Sequence, residues 1–357
     1  MIRAQNLIAA ACLLFAAPVM AEQSGGPVGE TIEVGDTGWA NKRPVFAAAC
    51  PQGCPWGELG EFLKEAMAGY GYDIVLCRNC NRDRAPRLVS EAGAPPALQE
   101  SDLEHGTKTR FDAPVDFGIT ASGMLADAYH GRGVYAKDGP YENLRLIARI
   151  EDPTFLLAAV HPDSDIASLD DIRKNKTPVK ILAFGQGANE VLAYYGLTRE
   201  NVEKWGGSIN LGMGADADTE FDVIIDDLAS PAQNLESVHW TNLSYAHDLV
   251  FLQLPDALLE DLAAQDDYQH VTVKWGLLRG VDREIETVGR NGEAFFARAD
   301  TPDGAAYDIA KAIDEARGDL IWLIRRYSLE PRAVFKNQGV PLHPGAERYY
   351  RERGYIK

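Results

Sequence analysis

Four cysteines in two tight pairs, Cys50 with Cys54 and Cys77 with Cys80, are the residues of this 357-residue chain whose spacing points most directly to chemistry. Two such pairs can close into disulfides or supply the four thiolates of a tetrahedral zinc site. Spacing alone does not choose among the three pairings that four cysteines allow. Haem attachment is excluded, because Asn81 rather than histidine follows Cys80. Cys77-Arg-Asn-Cys80 also has the form of a redox pair.

Other residues are suited to holding a small molecule. Gly185-Gln186-Gly187-Ala188-Asn189 is a glycine turn that presents backbone N–H groups to an anion, without the Gly-Lys-Ser/Thr ending of a nucleotide phosphate loop. Gln52, Gly53 and Trp56 offer a polar group, close backbone approach and a flat apolar wall. Arg78, Arg82, Arg84 and Arg87 fall within ten residues of an otherwise acidic protein. Arg78 is the candidate for a carboxylate, while Arg84 and Arg87 read as a solvated face paired with acids such as Asp83. Asp226-Asp227 can hold an ammonium group, and Thr120 and Ser122 can either donate to a ligand or cap a helix. The seven histidines form no His-Glu-x-x-His motif, and no Gly-x-Ser-x-Gly elbow occurs.

These residues act together only if strands bring them together. Strand patterns run from Pro44 to Ala49, Asp73 to Cys77, Val115 to Thr120, Val179 to Phe184, Phe221 to Ile225, Val250 to Leu254 and Ala294 to Ala299. Several are apolar throughout, as strands covered on both faces require. Leu59, Phe62, Leu63, Ala66 and Met67 have helical spacing, as do Ile309, Ile313, Ala316 and Leu320 after a start at Thr301-Pro302-Asp303. Strands alternating with helices predict parallel sheets, whose ligands sit beyond the carboxyl ends of the strands. The candidate residues fall at those ends. Ser90 to Phe111 reads as an inserted surface loop.

The formal charge of −18 sets the surface against nucleic acid and anionic lipid. At the amino terminus, Arg3, an apolar stretch from Leu7 to Ala17 and Val19-Met20-Ala21 predict an export signal cleaved after Ala21. Cys12 leaves with that signal, and an oxidising compartment makes disulfides the default for the remaining four cysteines.

The carboxyl terminus, Val340-Pro-Leu-His-Pro-Gly-Ala-Glu-Arg-Tyr-Tyr-Arg-Glu-Arg-Gly354, resembles the TAXI family of solute receptors for TRAP transporters. Pro-Leu-His-Pro-Gly-Ala followed by paired tyrosines carries most of the likeness. Asp116-Phe-Gly-Ile-Thr120, Leu144 to Ile150, the run from Ile166 to Gly187 and Asp222 to Pro231 agree, so the similarity spans Arg43 to Gly354. In the family the first turn carries Gly-Ser-Thr-Gly-Gly and the second carries Gly-Ser with an asparagine. Here Cys50 to Trp56 and Arg78-Asn79-Cys80-Asn81 stand in those places.

The resemblance implies an α/β molecule of the two-lobed periplasmic binding protein kind, with mostly parallel sheets flanked by helices. The expected division is a signal at 1–21, a flexible arm at 22–42, one lobe from 43–151 and 250–357, and the other from 152–249. The chain would cross near Glu151-Asp152-Pro153 and return near His247 to Leu252. The first two strands of such a lobe lie side by side, which implies that Cys50 or Cys54 reaches Cys77 or Cys80 in a disulfide.

The expected function is a monomeric periplasmic receptor that delivers a small anionic solute, a dicarboxylate or acidic amino acid, to a TRAP-type permease. It needs no cofactor, metal, nucleic acid or chemistry of its own. The solute would lie among Gln52, Gly53, Trp56, Arg78, Asn79, Thr120 and Ser122 on one lobe and Gly185, Gln186, Gly187, Asn189, Asp226 and Asp227 on the other. Two alternatives remain: a periplasmic redox or metal-handling protein using the Cys50, Cys54, Cys77 and Cys80 cluster, and a receptor that reports to a membrane sensor.

Overall fold

A computed structural model describes residues 38–48, 54–78, 80, 83–94, 113–152, 154–231, 236–265 and 267–357. The expected export signal, the arm up to residue 37, most of the inserted loop, Cys50, Gln52, Gly53 and Asn79 lie outside the described residues.

The first half of the chain builds β1 (Val45–Ala47), α1 (Pro55–Ala68), β2 (Val75–Cys77), α2 (Arg84–Ser90), β3 (Phe117–Ala121), α3 (Ser122–His130), β4 (Leu144–Ile150) and β5 (Phe155–Val160). It continues through α4 (Leu169–Asn175), β6 (Lys180–Phe184), α5 (Gln186–Tyr194), α6 (Arg199–Lys204), β7 (Ser208–Leu211), β8 (Val223–Ala229) and α7 (Val238–Ala246). The remainder is β9 (Val250–Leu252), α8 (Asp256–Ala263), β10 (Tyr268–Val273), β11 (Ile285–Arg290), β12 (Glu293–Arg298), α9 (Asp303–Glu315) and α10 (Pro344–Glu352).

The strands form two sheets flanked by helices, in the orders β2-β1-β3-β12-β4 and β10-β11-β5-β8-β6-β7, with β9 paired to β5. Parallel ladders join β2, β1 and β3 in one sheet and β8, β6 and β7 in the other, where every strand except β7 is followed by a helix. Elsewhere the pairing is antiparallel. The sheets are therefore mixed, and mostly parallel describes only their strand–helix halves. The extra antiparallel strands come from segments that pass between sheets or turn back as hairpins.

Both faces of each sheet are covered, which explains why the strands read as unbroken apolar runs. Phe46 and Phe295 point to the layer formed by α1, α9 and α10, together with Leu63, Ile309 and Tyr350. Their neighbours Val45 and Phe296 point the opposite way, onto Val89 and Leu125 of α2 and α3. Full burial of each such ring contributes about 1.5–3 kcal/mol. The second sheet repeats the arrangement, with Val191 and Leu262 on one face and Trp240 and Leu243 on the other.

The chain passes from the first sheet to the second between Ile150 and Phe155, and back between Arg290 and Glu293. The expected return near His247 to Leu252 is corrected by this order, because β9, β10 and β11 all extend the second sheet before the chain leaves it. Gly292 makes the return possible. Its φ is +85°, and a Cβ there would stand 2.0 Å from the Ile150 carbonyl oxygen, so the two passages touch backbone to backbone. The carboxyl-terminal segment runs alongside, with the Glu151 and Ser328 backbones exchanging hydrogen bonds of 2.8 and 3.2 Å. The helix that begins at Asp303 stops at Glu315 and tightens into a 3₁₀ turn over Arg317–Trp322. No helix among the described residues is long and apolar enough to cross a membrane.

Candidate functional site

The glycine turn between β6 and α5 holds a carboxylate, and it belongs to the protein. Gly185 takes a φ of +92°, which opens the turn so that Asp227 at the end of β8 enters it. The Gly187 N–H donates to Asp227 Oδ2 at 2.9 Å, and the Tyr268 hydroxyl donates to the same oxygen at 2.6 Å. A Cβ on Gly185 would lie 1.8 Å from the Asp227 carboxylate, so glycine is required here. Burial, and then the adjacent carboxylate, drive the Tyr268 hydroxyl far above its ordinary pKa, so it stays a donor.

Asp226 is equally committed. It is fully buried, accepts from the Leu228 backbone and contacts His239 Nε2 at 2.8 Å. Burial raises its pKa, against the opposing hydrogen bond and charge of His239. Both carboxylates thus receive donors from the protein itself, Asp227 through Oδ2, while its Oδ1 is buried without a partner.

On the first sheet, Arg78 follows β2 and pairs through Nη2 with Glu61 of α1, while its Nη1 is buried without a hydrogen-bond partner. Arg87 is held by Asp138 at 2.5 Å and Asp83 at 3.4 Å, in keeping with a paired face. Trp56 lies buried in the first turn of α1. Thr120 and Ser122 are buried at the end of β3, and neither caps α3, because Ser122 is already inside the helix. Gln186 and Asn189 are exposed. Cys77 and Cys80 are fully buried and joined to each other, with 5.5 Å between their Cα atoms. This corrects the cross-strand arrangement and removes two ligands from the four-thiolate zinc site. Cys54 is also disulfide-bonded.

A cavity of about 540 Å³ opens where elements of the two sheets meet. Its walls include Gly123 and Asp127 of α3, Arg132 and Tyr135 just beyond it, and Gln186 and Asp267 from the other side. It therefore lies at the carboxyl ends of β3 and β6, where an open α/β sheet receives its ligand. Gly123 is essential to the closeness of the walls, since a Cβ on it would fall 2.6 Å from the Asp267 Cα. The charged groups alternate: Asp127 meets Arg132 at 3.3 Å, and Asp267 meets the buried Arg290 at 3.5 Å. Burial lifts the Asp127 pKa, with Arg132 opposing. Of the described residues expected to bind solute, Gln186 alone lines this cavity. Asp127, Arg132 and Asp267 carried no sequence signal, because Asp127 sits inside a helix and Asp267 precedes an antiparallel strand.

A buried ionic cluster lies where the chain passes between sheets. Arg325 Nη1 meets Asp152 Oδ2 at 2.8 Å and Glu293 at 3.6 Å, while Nη2 meets Glu236. One guanidinium thus joins the outgoing passage, the return and the loop before α7. Burial, then the neighbouring Asp152, push the Glu293 carboxyl up to about 7 against Arg290 and Arg325. Burial alone would lower the Arg290 pKa, but Asp267, Asp227, Glu293 and Asp152 raise it well above its usual value.

Two helix-flanked sheets joined by two chain passages, with a charged cavity between their strand ends, define an α/β protein organised around an internal cleft. The chain belongs to the NMT1-like family, whose match covers residues 111–354. Among solved structures it is similar to a TRAP periplasmic solute binding protein from Ochrobactrum anthropi, with 14% identity over 78% of this chain and 76% of that one, at a TM-score of 0.34. A TctC solute binding protein from Polaromonas matches with 11% identity over 88% of this chain and 98% of its own, at a TM-score of 0.39. The periplasmic nitrate-binding protein of Synechocystis PCC 6803 matches with 13% identity over 77% of this chain and 60% of its own, at a TM-score of 0.35.

Proposed function

We propose that this protein is a periplasmic solute receptor that encloses a small molecule between its two sheets and passes it unchanged to a TRAP-type permease. The observation that carries the reading is the cavity shared by α3 and Asp267, whose size suits a metabolite and whose walls come from segments far apart in sequence. The TAXI-like carboxyl terminus supports the choice of permease.

The cavity also refines the solute. The α5 turn is filled by Asp227, and Arg78 lies outside the lining of the cavity. The cavity is lined by the carboxylates of Asp127 and Asp267 and by the guanidinium of Arg132, with the buried Arg290 paired to Asp267 outside the lining. Such alternation suits a molecule bearing both an ammonium and a carboxylate, so the amino-acid class is favoured over a simple dicarboxylate.

Isothermal titration of the purified protein with aspartate, glutamate, neutral amino acids and succinate tests this. An amino acid that binds the parent and loses about 10-fold or more in affinity with Asp267→Asn supports the assignment. Succinate binding in preference to every amino acid overturns the solute class, and conversion of a bound compound to product overturns the receptor.

A further inference from the structure

A second concavity of about 480 Å³ lies on the outer side of the first sheet, between α1 and the 3₁₀ turn after α9. Phe62 and Leu323 supply apolar walls, and Trp322 stands beside them with 83% of its surface exposed. Glu58 and Glu65 of α1 share one helix face with Glu61, being three and four positions from it. Asp319 faces them across the groove. Glu61 is matched by Arg78, but among the described residues no ion pair is found for Glu58, Glu65 or Asp319, and no cation lines the groove.

We infer that this groove docks a Lys/Arg-bearing amphipathic segment of a partner protein. Charge complementarity decides the occupant: cationic side chains would meet three uncompensated carboxylates, aliphatic ones would cover Phe62 and Leu323, and a cation over the exposed indole gains further. An acidic segment or an anionic membrane is repelled by the same groups. That the segment belongs to a transporter rests on the receptor reading, whereas the groove's preference for a basic segment does not. Arg325, which joins both passages between the sheets, follows two residues after Leu323. A segment pressing on Trp322 and Leu323 thus acts on the same short stretch of chain that ties the two sheets together.

The probe is a short synthetic peptide of alternating lysine and leucine, titrated into the protein while tryptophan emission is followed. Binding is expected to change the emission of the parent, and the change should vanish in Trp322→Phe. Glu58→Gln with Glu65→Gln should weaken the peptide about three- to tenfold, whereas Asp218→Asn with Asp261→Asn, remote acids that preserve the same total charge, should leave affinity unchanged. Equal loss in both pairs, no loss in the groove pair, or equal binding of a glutamate–leucine peptide overturns the proposal. A concentration-dependent dimer abolished by Trp322→Ala assigns the groove to a second copy and overturns it too. Amino-acid titrations on the same variants separate the two readings, because groove substitutions should leave solute affinity intact.

Discussion

Tyr268 donates its phenolic proton to Asp227 at 2.6 Å, and Asp227 in turn occupies the backbone turn that opens α5. Tyr268→Phe should therefore destabilise the protein by about 1–3 kcal/mol, because it leaves a buried carboxylate short of a donor. Asp227→Ala should empty the turn, after which acetate stabilises the variant but not the parent. Urea titration measures the first effect, and thermal melts with and without acetate measure the second.

Arg325 places one guanidinium against Asp152, Glu236 and Glu293. Arg325→Met strands buried carboxylates and should cost about 3–5 kcal/mol. Arg325→Lys should not restore the loss, since an ammonium lacks the planar fork that reaches three partners. Chemical denaturation of the three proteins side by side checks both statements.

The pH dependence follows from Glu293, whose carboxyl titrates near 7 in the folded chain because of burial and Asp152. Its ordinary value is near 4.5, so between those limits the folded state holds a proton that the unfolded state has released. Stability contributed by this group is full below about 4.5, falls as pH rises towards 7 and is flat above, for a total of about 3 kcal/mol. Asp152, also raised, adds in the same direction. Glu293→Gln should flatten the slope, as read from urea midpoints across that range.

The Cys77–Cys80 bond closes a short loop and is buried. Replacing both with alanine should cost about 2 kcal/mol, the loop-closure value for so few residues, without altering solute affinity. Loss of binding in a variant that remains folded would return the cysteines to the functional site.

Much of the architecture was legible in the sequence because burial on both faces writes itself as uninterrupted apolar runs, seen in Val45–Ala47 and in Ile181–Phe184. The glycine turn at Gly185 and its helix were legible for the same reason that they fold, since only glycine takes that φ without strain. What fills the turn was not. Asp227 lies on a neighbouring strand 40 residues from Gly187, and no local pattern announces that contact. The return to the first sheet was misplaced because Val250–Leu252 has the same apolar character whichever sheet it joins. Asp127, Arg132 and Asp267 were silent, since charged residues on helices and in loops are ordinarily solvated.

Gly123 rests against the Asp267 backbone with no room for even a methyl group. A bulkier residue there acts as a doorstop: Gly123→Val would collide with both the backbone and the carboxylate of Asp267, while Asp127 and Arg132 keep their own pairing. The consequence is a spacing rule: the distance between these two walls of the cavity is set by the absence of a single side chain.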